Sequence, residues 1–270
     1  MERPAWAPRS IDISMPSVAR IYDYYLGGSH NFEVDREAAR RAMEFVPGLP
    51  KIMQANRAFM RRAVRHAADA GITQFLDIGS GIPTFGNVHE VAREASPGAR
   101  IVYVDHDPVA VAHSEAVLKG VDGVDVVAAD LRKPREILES PRVRQLIDLN
   151  RPVALLLVAI LHFVEDTDDP YGAVAQLRDA LAPGSMMVVS HACSEGIPLP
   201  AERAAAMVDV YKNIRNPLTM RSADEVARFF EGYDMVEPGV VPMAKWRPDT
   251  ASEDEDPYAY AQFAGVGTKA

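Results

Sequence analysis

The chain has 270 residues, 48% of them hydrophobic, and a formal charge of −9. That is long enough for one large α/β domain or two small ones and too apolar for a disordered chain. The negative charge disfavours a nucleic acid partner, and Asp249 with the run Glu253 to Asp256 gathers acid near the C-terminus. One cysteine, Cys193, excludes an intramolecular disulfide and a multi-cysteine metal site and suits a reducing cytoplasm. No metal is expected. The first four residues carry acid and proline, unlike a secretory signal, and no run approaches the roughly 18 apolar residues of a membrane span.

In chain order, residues 1 to 70 read as helical. "SVARIYDYYL" runs into the turn "GGSHNF" and then into "EVDREAARRAMEF". Arg57, Arg61, Arg62 and Arg65 lie at helical spacing opposite Phe59, Ala63, Val64 and Ala67, which predicts a solvated face. From residue 74 strands and helices alternate. Strands are expected at 74–78, 100–105, 124–129, 153–160 and 185–191. Helices are expected at 83–95, 108–118, 134–149 with a break at Pro141, and 170–181. Residues 194–231 form a second helical block. Near-continuous apolar strands separated by helices imply a doubly wound, mostly parallel sheet covered on both faces, with its ligand at the strands' C-terminal ends. The chain is read as a single domain. Residues 1–70 form a helical cap, 71–193 the cofactor-binding core, 194–231 a helical covering segment inserted after strand 5, and 232–270 the C-terminal strands.

The stretch "FLDIGSGIPT", Phe75 to Thr84, is a buried strand turning through glycines into a helix, as in nucleotide-binding proteins. A phosphate loop needs a lysine after its last glycine, and none follows here. A dinucleotide site wants a third glycine where Thr84 stands, which weakens a nicotinamide reading. S-adenosylmethionine carries a sulfonium, an α-ammonium and a carboxylate, so an acid just before the glycines suits it electrostatically, and Asp77 is that acid. Asp105 and Asp130 follow at intervals of 28 and 25 residues, each about one strand-helix-strand repeat, and should share one sheet edge. A carboxylate at Asp105 can accept both ribose hydroxyls, and one at Asp130 can accept from the adenine amino group. Asp105 could equally cap the following helix, and Asp130 could be a turn acid.

The order "FLDIGSG", "VYVDHDP", "AADLR", "LLLVAILHFV" and "LAPGSMMVVSH" resembles the class I S-adenosylmethionine-dependent methyltransferases. More closely, "SVARIYDYYLGGSHNF", "QFLDIGSGIPT", "LLVAILHFV", "VEPGVV" and "KWRPD" resemble a methyltransferase-like family of high-GC bacteria formerly described as a domain of unknown function. The resemblance implies a seven-stranded Rossmann-like sheet with a reversed last strand, here Tyr260 to Gly267, and brings no substrate. It implies that Asp77, Gly79, Ser80 and Gly81 hold the methionine end, Asp105 the ribose and His106 the adenine flank. Asp130 and Leu131 would lie on the adenine edge, with Ala159 and His162 toward the sulfonium. Pro83 replaces the third loop glycine, and proline suits a helix's first turn, so a changed loop shape with retained binding is expected.

Methyl transfer needs mainly orientation, so a general base is optional, and His162 is the candidate ahead of His191. Tyr22, Tyr25, Asn31 and Phe32 around Gly27-Gly28 suggest a lid that closes on the cofactor, although the tyrosines could equally be core aromatics. The leading expectation is a cytoplasmic enzyme methylating a small molecule, without nucleic acid or membrane. The alternatives are a cofactor-binding sensor or partner-binding module without catalysis, and a nicotinamide-dependent oxidoreductase.

Overall fold

The computed structural model describes residues 13–83, 86–193, 195, 200–212, 217–249 and 260–270. Thr84, the acidic run Glu253 to Asp256 and parts of the 1–70 and 194–231 segments lie outside the described residues.

Three helices precede the sheet: α1 (Val18–Tyr25), α2 (Glu33–Phe45) and α3 (Leu49–Asp69). Apolar residues at Val18, Ile21, Tyr22 and Tyr25 give α1 one inward face, and the helix stops where Gly27 takes φ +80°. Gly28 is held to glycine by space, since a Cβ there would fall 2.0 Å from Asp23 Oδ1.

The alternating part then runs β1 (Gln74–Ile78), α4 (Val88–Ala95), β2 (Arg100–Asp105), α5 (Pro108–Val117) and β3 (Val124–Ala128). It continues with α6 (Pro134–Glu139), α7 (Pro141–Leu146), β4 (Ala154–Val158), α8 (Pro170–Ala180) and β5 (Met186–Ala192). After α9 (Ala201–Lys212) and α10 (Ala223–Ala227) come β6 (Tyr233–Met235), β7 (Val241–Pro242) and β8 (Gln262–Lys269).

The sheet order is β3-β2-β1-β4-β5-β8-β6, with β7 also paired to β8. Strands β1 to β5 are parallel, and β8 runs antiparallel to β5 and β6. The reversed last strand is therefore present, with β7 as a short eighth strand beyond the seven expected. Side chains alternate between two cores. Phe75, Ile101, Leu156 and Val188 pack with α1, α2, α3 and α4, whereas Leu76, Val102, Leu155 and Val189 pack with α6, α7, α8 and α10. Strand order reverses between β1 and β4, both of which flank the crevice where an open α/β sheet takes its ligand.

Of the boundaries that differ from those the sequence pattern predicts, three have a clear local reason. Helix α4 begins at Val88 instead of Pro83, because Asn87 and Glu90 form a capping box in which the Asn87 N–H donates to Glu90 Oε2 at 2.6 Å. Strand β4 ends at Val158 because Ala159 turns to φ +55°. The last strand starts at Gln262 because Ala261 sits at φ +47°. The helix expected over 134–149 breaks at Pro141 as the sequence suggests, giving α6 and α7.

Candidate active site

A polar cleft opens at the C-terminal ends of β1, β2 and β4, and Asp77, Gly79, Ser80, Gly81, Asp105, His106 and Ala159 all lie in its wall. The glycine turn is built tightly. The Gly79 and Ser80 N–H groups donate to the Val104 carbonyl, and Gly79 takes φ +76°. Gly81 takes φ +66° and donates its N–H to Asp105 Oδ2 at 2.7 Å, while Asp105 Oδ1 accepts the Asp107 N–H at 2.8 Å. Asp105 thus shapes the loop while keeping lone pairs for a ligand. Burial raises its carboxyl above the usual range against those backbone bonds.

Asp77 lies at the cleft floor. Burial pushes it up to about 7, with Arg57 pulling down and Asp105 pushing up. Arg57 comes from α3 and donates to the Gly86 carbonyl at 3.2 Å. Its Nε and the Ser80 Oγ are buried without a partner. Unpaired buried polar atoms are rare in folded proteins, and two of them on residues that line one cleft fit a polar ligand such as an amino-acid end. The solvated face that helical spacing predicts for Arg57 is therefore corrected. All four arginines of that face are partly buried: Arg61 lies beside Gly86, Arg62 donates to the Trp246 carbonyl, and Arg65 approaches Glu94.

Helix α1 roofs the cleft with Val18, Ala19 and Tyr22. Ser17 latches it: the Ser17 N–H donates to Asp35 Oδ1 at 2.9 Å, and its hydroxyl donates to Asp107 Oδ2. Asp107 in turn caps α5 by accepting the Val109 N–H at 2.7 Å. A second buried chain of hydrogen bonds links this roof to β4. The Ala159 N–H donates to Ser190 Oγ (2.9 Å), that hydroxyl to Asn56 Oδ1 (2.6 Å), the Asn56 amide to the Tyr22 hydroxyl (3.0 Å), and Tyr22 to the Met53 carbonyl (3.2 Å). It holds Ala159 in a left-handed conformation that a non-glycine residue adopts only when its surroundings impose it. Asn56 belongs to no motif in the sequence, yet a signal exists: it is a polar residue on the buried stripe of Ile52, Phe59 and Ala63.

Four candidates are not brought to the cleft wall. Asn31 donates its amide to Asp23 Oδ2 at 2.8 Å and to the Gly28 carbonyl, and its Oδ1 accepts from Arg36, so the turn itself uses it up. Phe32 packs with Ile82, Val109 and Ala110 beneath the Arg20 guanidinium. Leu131 belongs to the second core. The Asp130 carboxylate is gripped by Arg132 through Nε at 3.0 Å and Nη2 at 2.6 Å. Burial acts upward on Asp130, but those bonds outweigh it and hold the carboxyl below its usual range.

Behind the cleft lies a second, apolar cavity that shares Val18, Tyr22, Ala159 and Phe163 with it. Its described polar side chains are few: the Tyr25 and Tyr211 hydroxyls, 3.2 Å apart, the Tyr22 and Tyr260 hydroxyls, His162 and Gln262. His162 accepts the Ala192 N–H at Nδ1 (3.1 Å), so the hydrogen of the neutral ring sits on Nε2. Burial first, then His191 and Arg221, keep His162 neutral well below the usual histidine range. It is a hydrogen-bond donor at neutral pH, and its geometry does not support the general-base role. His191 is fully buried and accepts from Arg221 Nη1 at 2.8 Å, with burial pushing it down to about 4. Burial raises the Cys193 thiol to about 11, which leaves it protonated and inert. Among the described residues no three metal-ligating side chains converge, and no helix is long and apolar enough to cross a membrane.

The family model described as S-adenosyl methyltransferase matches residues 4–270. A candidate methyltransferase from Thermobifida fusca YX superposes with a TM-score of 0.91 at 40% identity, over 98% of this chain and 99% of that one. A DUF574 family protein from Streptomyces avermitilis MA-4680 superposes with a TM-score of 0.90 at 40% identity, over 96% and 99%. The mitomycin 7-O-methyltransferase MmcR, 18% identical with a TM-score of 0.50 over 79% of this chain and 54% of its own, shares the fold. No curated protein matches the sequence.

Proposed function

Because this chain belongs to the S-adenosyl methyltransferase family and its cofactor is S-adenosylmethionine, we propose that it methylates a small organic molecule in the cytoplasm, with the acceptor seated in the apolar cavity. One observation carries the reading: a polar cleft lined by residues with unpaired buried polar atoms adjoins an apolar cavity, and the two share Val18, Tyr22, Ala159 and Phe163 as a common wall. Asp77 would face the α-ammonium, Arg57 and Ser80 the carboxylate, Asp105 the ribose hydroxyls, and His106 the adenine. Asp130, held by Arg132, is assigned no ligand.

When bound, the cofactor supplies a methyl group on a sulfonium, so an acceptor lone pair can form the new bond to carbon while the carbon–sulfur pair stays on sulfur. The protein orients and excludes water. Tyr22 and Phe163 stand at the junction, and the Ser190–Asn56–Tyr22 chain fixes Ala159 beside it. No group in the described acceptor wall is poised to take a proton. His162 is neutral with its Nδ1 occupied, and burial raises the Tyr25 and Tyr211 phenols far above neutrality. The acceptor therefore reacts through a lone pair it already presents. The negative charge argues against nucleic acid as acceptor.

Two measurements test this. With methyl-labelled cofactor and a fractionated bacterial extract, label should enter the small-molecule fraction. Label in tRNA or protein alone, or in no fraction, overturns the proposal. By calorimetry, Asp105→Ala should weaken cofactor binding at least tenfold, since losing charge-assisted contacts costs about 1.5 to 3 kcal/mol and the Gly81 and Asp107 N–H groups lose their acceptor. Unchanged affinity in a folded variant would remove Asp105 from the site.

His162→Leu should destabilise the protein by about 1 to 3 kcal/mol in urea, because the Ala192 N–H loses its acceptor, whereas His162→Asn can still accept that bond. The asparagine variant should also keep methyl transfer within about tenfold. A loss on the order of 10² to 10⁴ would restore the general-base role.

A further inference from the structure

Among the described residues, the apolar cavity is lined by one polar side chain with a buried oxygen that nothing pairs. Gln262 opens β8, where it pairs with Ala192 across from β5. It is 5% exposed and lines the cavity, and its Oε1 is buried without a hydrogen-bond partner. A buried amide oxygen left unpaired costs the folded protein its full desolvation penalty. The described residues that share the cavity wall with it, such as Ile52, Tyr260 and Met220, are mostly apolar or aromatic.

The Tyr25–Tyr211 pair adds a second partly used group. One hydroxyl hydrogen satisfies the other oxygen, and the second hydrogen of the pair has no acceptor among the described residues. The described wall carries no charged side chain, and its one histidine is held neutral. It is rich instead in rings: Tyr22, Tyr25, Phe163, Tyr211 and Tyr260. A charged ligand would lose its hydration there with nothing to replace it, whereas a flat ring would gain aromatic contacts.

Building on the proposed methyl transfer, we propose that Gln262 is the residue that selects the acceptor, and that the acceptor is an uncharged aromatic molecule carrying an N–H or O–H group that donates to Gln262 Oε1. The cavity rejects anionic aromatics of the same shape. A site built to pair a buried polar group discriminates against analogues that leave it unpaired far more strongly than an apolar pocket discriminates by size.

Three probes of similar shape test the assignment by fluorescence and calorimetry in the presence of S-adenosylhomocysteine: 2-naphthol, 2-methoxynaphthalene and naphthalene-2-sulfonate. On the unaltered protein, 2-naphthol should bind at least tenfold more tightly than either of the others. Gln262→Met keeps the length of the side chain and removes its acceptor. It should weaken 2-naphthol at least tenfold, leave 2-methoxynaphthalene unchanged, and raise the melting temperature of the ligand-free protein by about 2 to 4 °C as the unpaired oxygen disappears. Gln262→Leu serves as a second variant with the same expected pattern.

Equal losses for both neutral probes, no loss for either, or sulfonate binding as tight as naphthol would overturn the inference. So would a lowered melting temperature in both variants, which would show that the glutamine is structural. S-adenosylhomocysteine binding separates the two levels of the argument. If it binds normally and 2-naphthol does not, the acceptor class is wrong and the methyltransferase site stands; if it does not bind, the site reading itself falls.

Discussion

Cofactor affinity should fall about tenfold for each pH unit below 7, and the proton released on binding should come from Asp77. In the ligand-free protein burial pushes Asp77 up to about 7, against the pull of Arg57, while the Asp105 charge adds to the rise. Tyr103 also lies close enough to feel the charge of Asp77. An α-ammonium beside this carboxyl favours the ionised form, so the bound state releases a proton that the free state holds. The affinity is then flat just above pH 7 and declines below it with unit slope until the bound-state value is reached. Above about pH 8 the cofactor's own amine loses its charge and affinity falls again.

The sign for folding runs the other way. A folded-state value raised above the unfolded one contributes stability that is fully present below the unfolded value and lost as pH rises through about 7. The ligand-free protein should therefore lose stability through that range while the complex gains affinity. Calorimetry between pH 5.5 and 8.5 in two buffers of different ionisation enthalpy reads the proton directly. Affinity independent of pH from 5.5 to 7 would remove Asp77 from the ammonium site, and Asp77→Asn should abolish the dependence.

The second large effect is expected at the glycine turn, where two neighbouring glycines should fail in different ways. Gly79→Ala places a Cβ 2.5 Å from Ile160 Cγ1 at a residue with φ +76°. The left-handed backbone costs an alanine about 1 to 2 kcal/mol, and forcing an extra methyl into packed surroundings costs about 1 to 3 kcal/mol. Destabilisation of about 2 to 5 kcal/mol in urea is expected, with cofactor binding lost alongside. Gly81, which lines the cleft, has φ +66° but no described atom within 4 Å of its Cβ position. Gly81→Ala should cost only the backbone strain in stability while weakening the cofactor by an order of magnitude or more. If Gly81→Ala destabilises as much as Gly79→Ala, or binds the cofactor normally, that division of labour is wrong.

Much of this site is legible in the amino-acid sequence because its signals are local. The turn after Phe75 and the acids at the ends of β1 and β2 follow from strand periodicity and from where a parallel sheet ends its strands, whereas Ala159 and His162 came from the family resemblance; Ala159 lines both the cleft and the apolar cavity, and His162 the cavity alone. The glycine pair before Asn31 also marks a real turn, although Asn31 and Phe32 serve that turn and its packing and not the cleft.

What the sequence alone determined is thus the alternating α/β order, the sheet edge at which the polar cleft opens, and residues lining that cleft, because each depends on neighbours within one or two elements. Tertiary structure decided the rest. Tyr25 meets Tyr211 across 186 residues and Ser190 meets Asn56 across 134, so neither the apolar cavity nor the chain that holds Ala159 is written in any local pattern. Arg57 turned from a solvated face to the cleft because the glycine loop packs against α3, and the Asp130 carboxylate is taken up by the fork of Arg132 instead of lining the cleft. Burial and partner choice are properties of the assembled fold, and they set whether a carboxylate or an arginine meets a ligand, a neighbour or water.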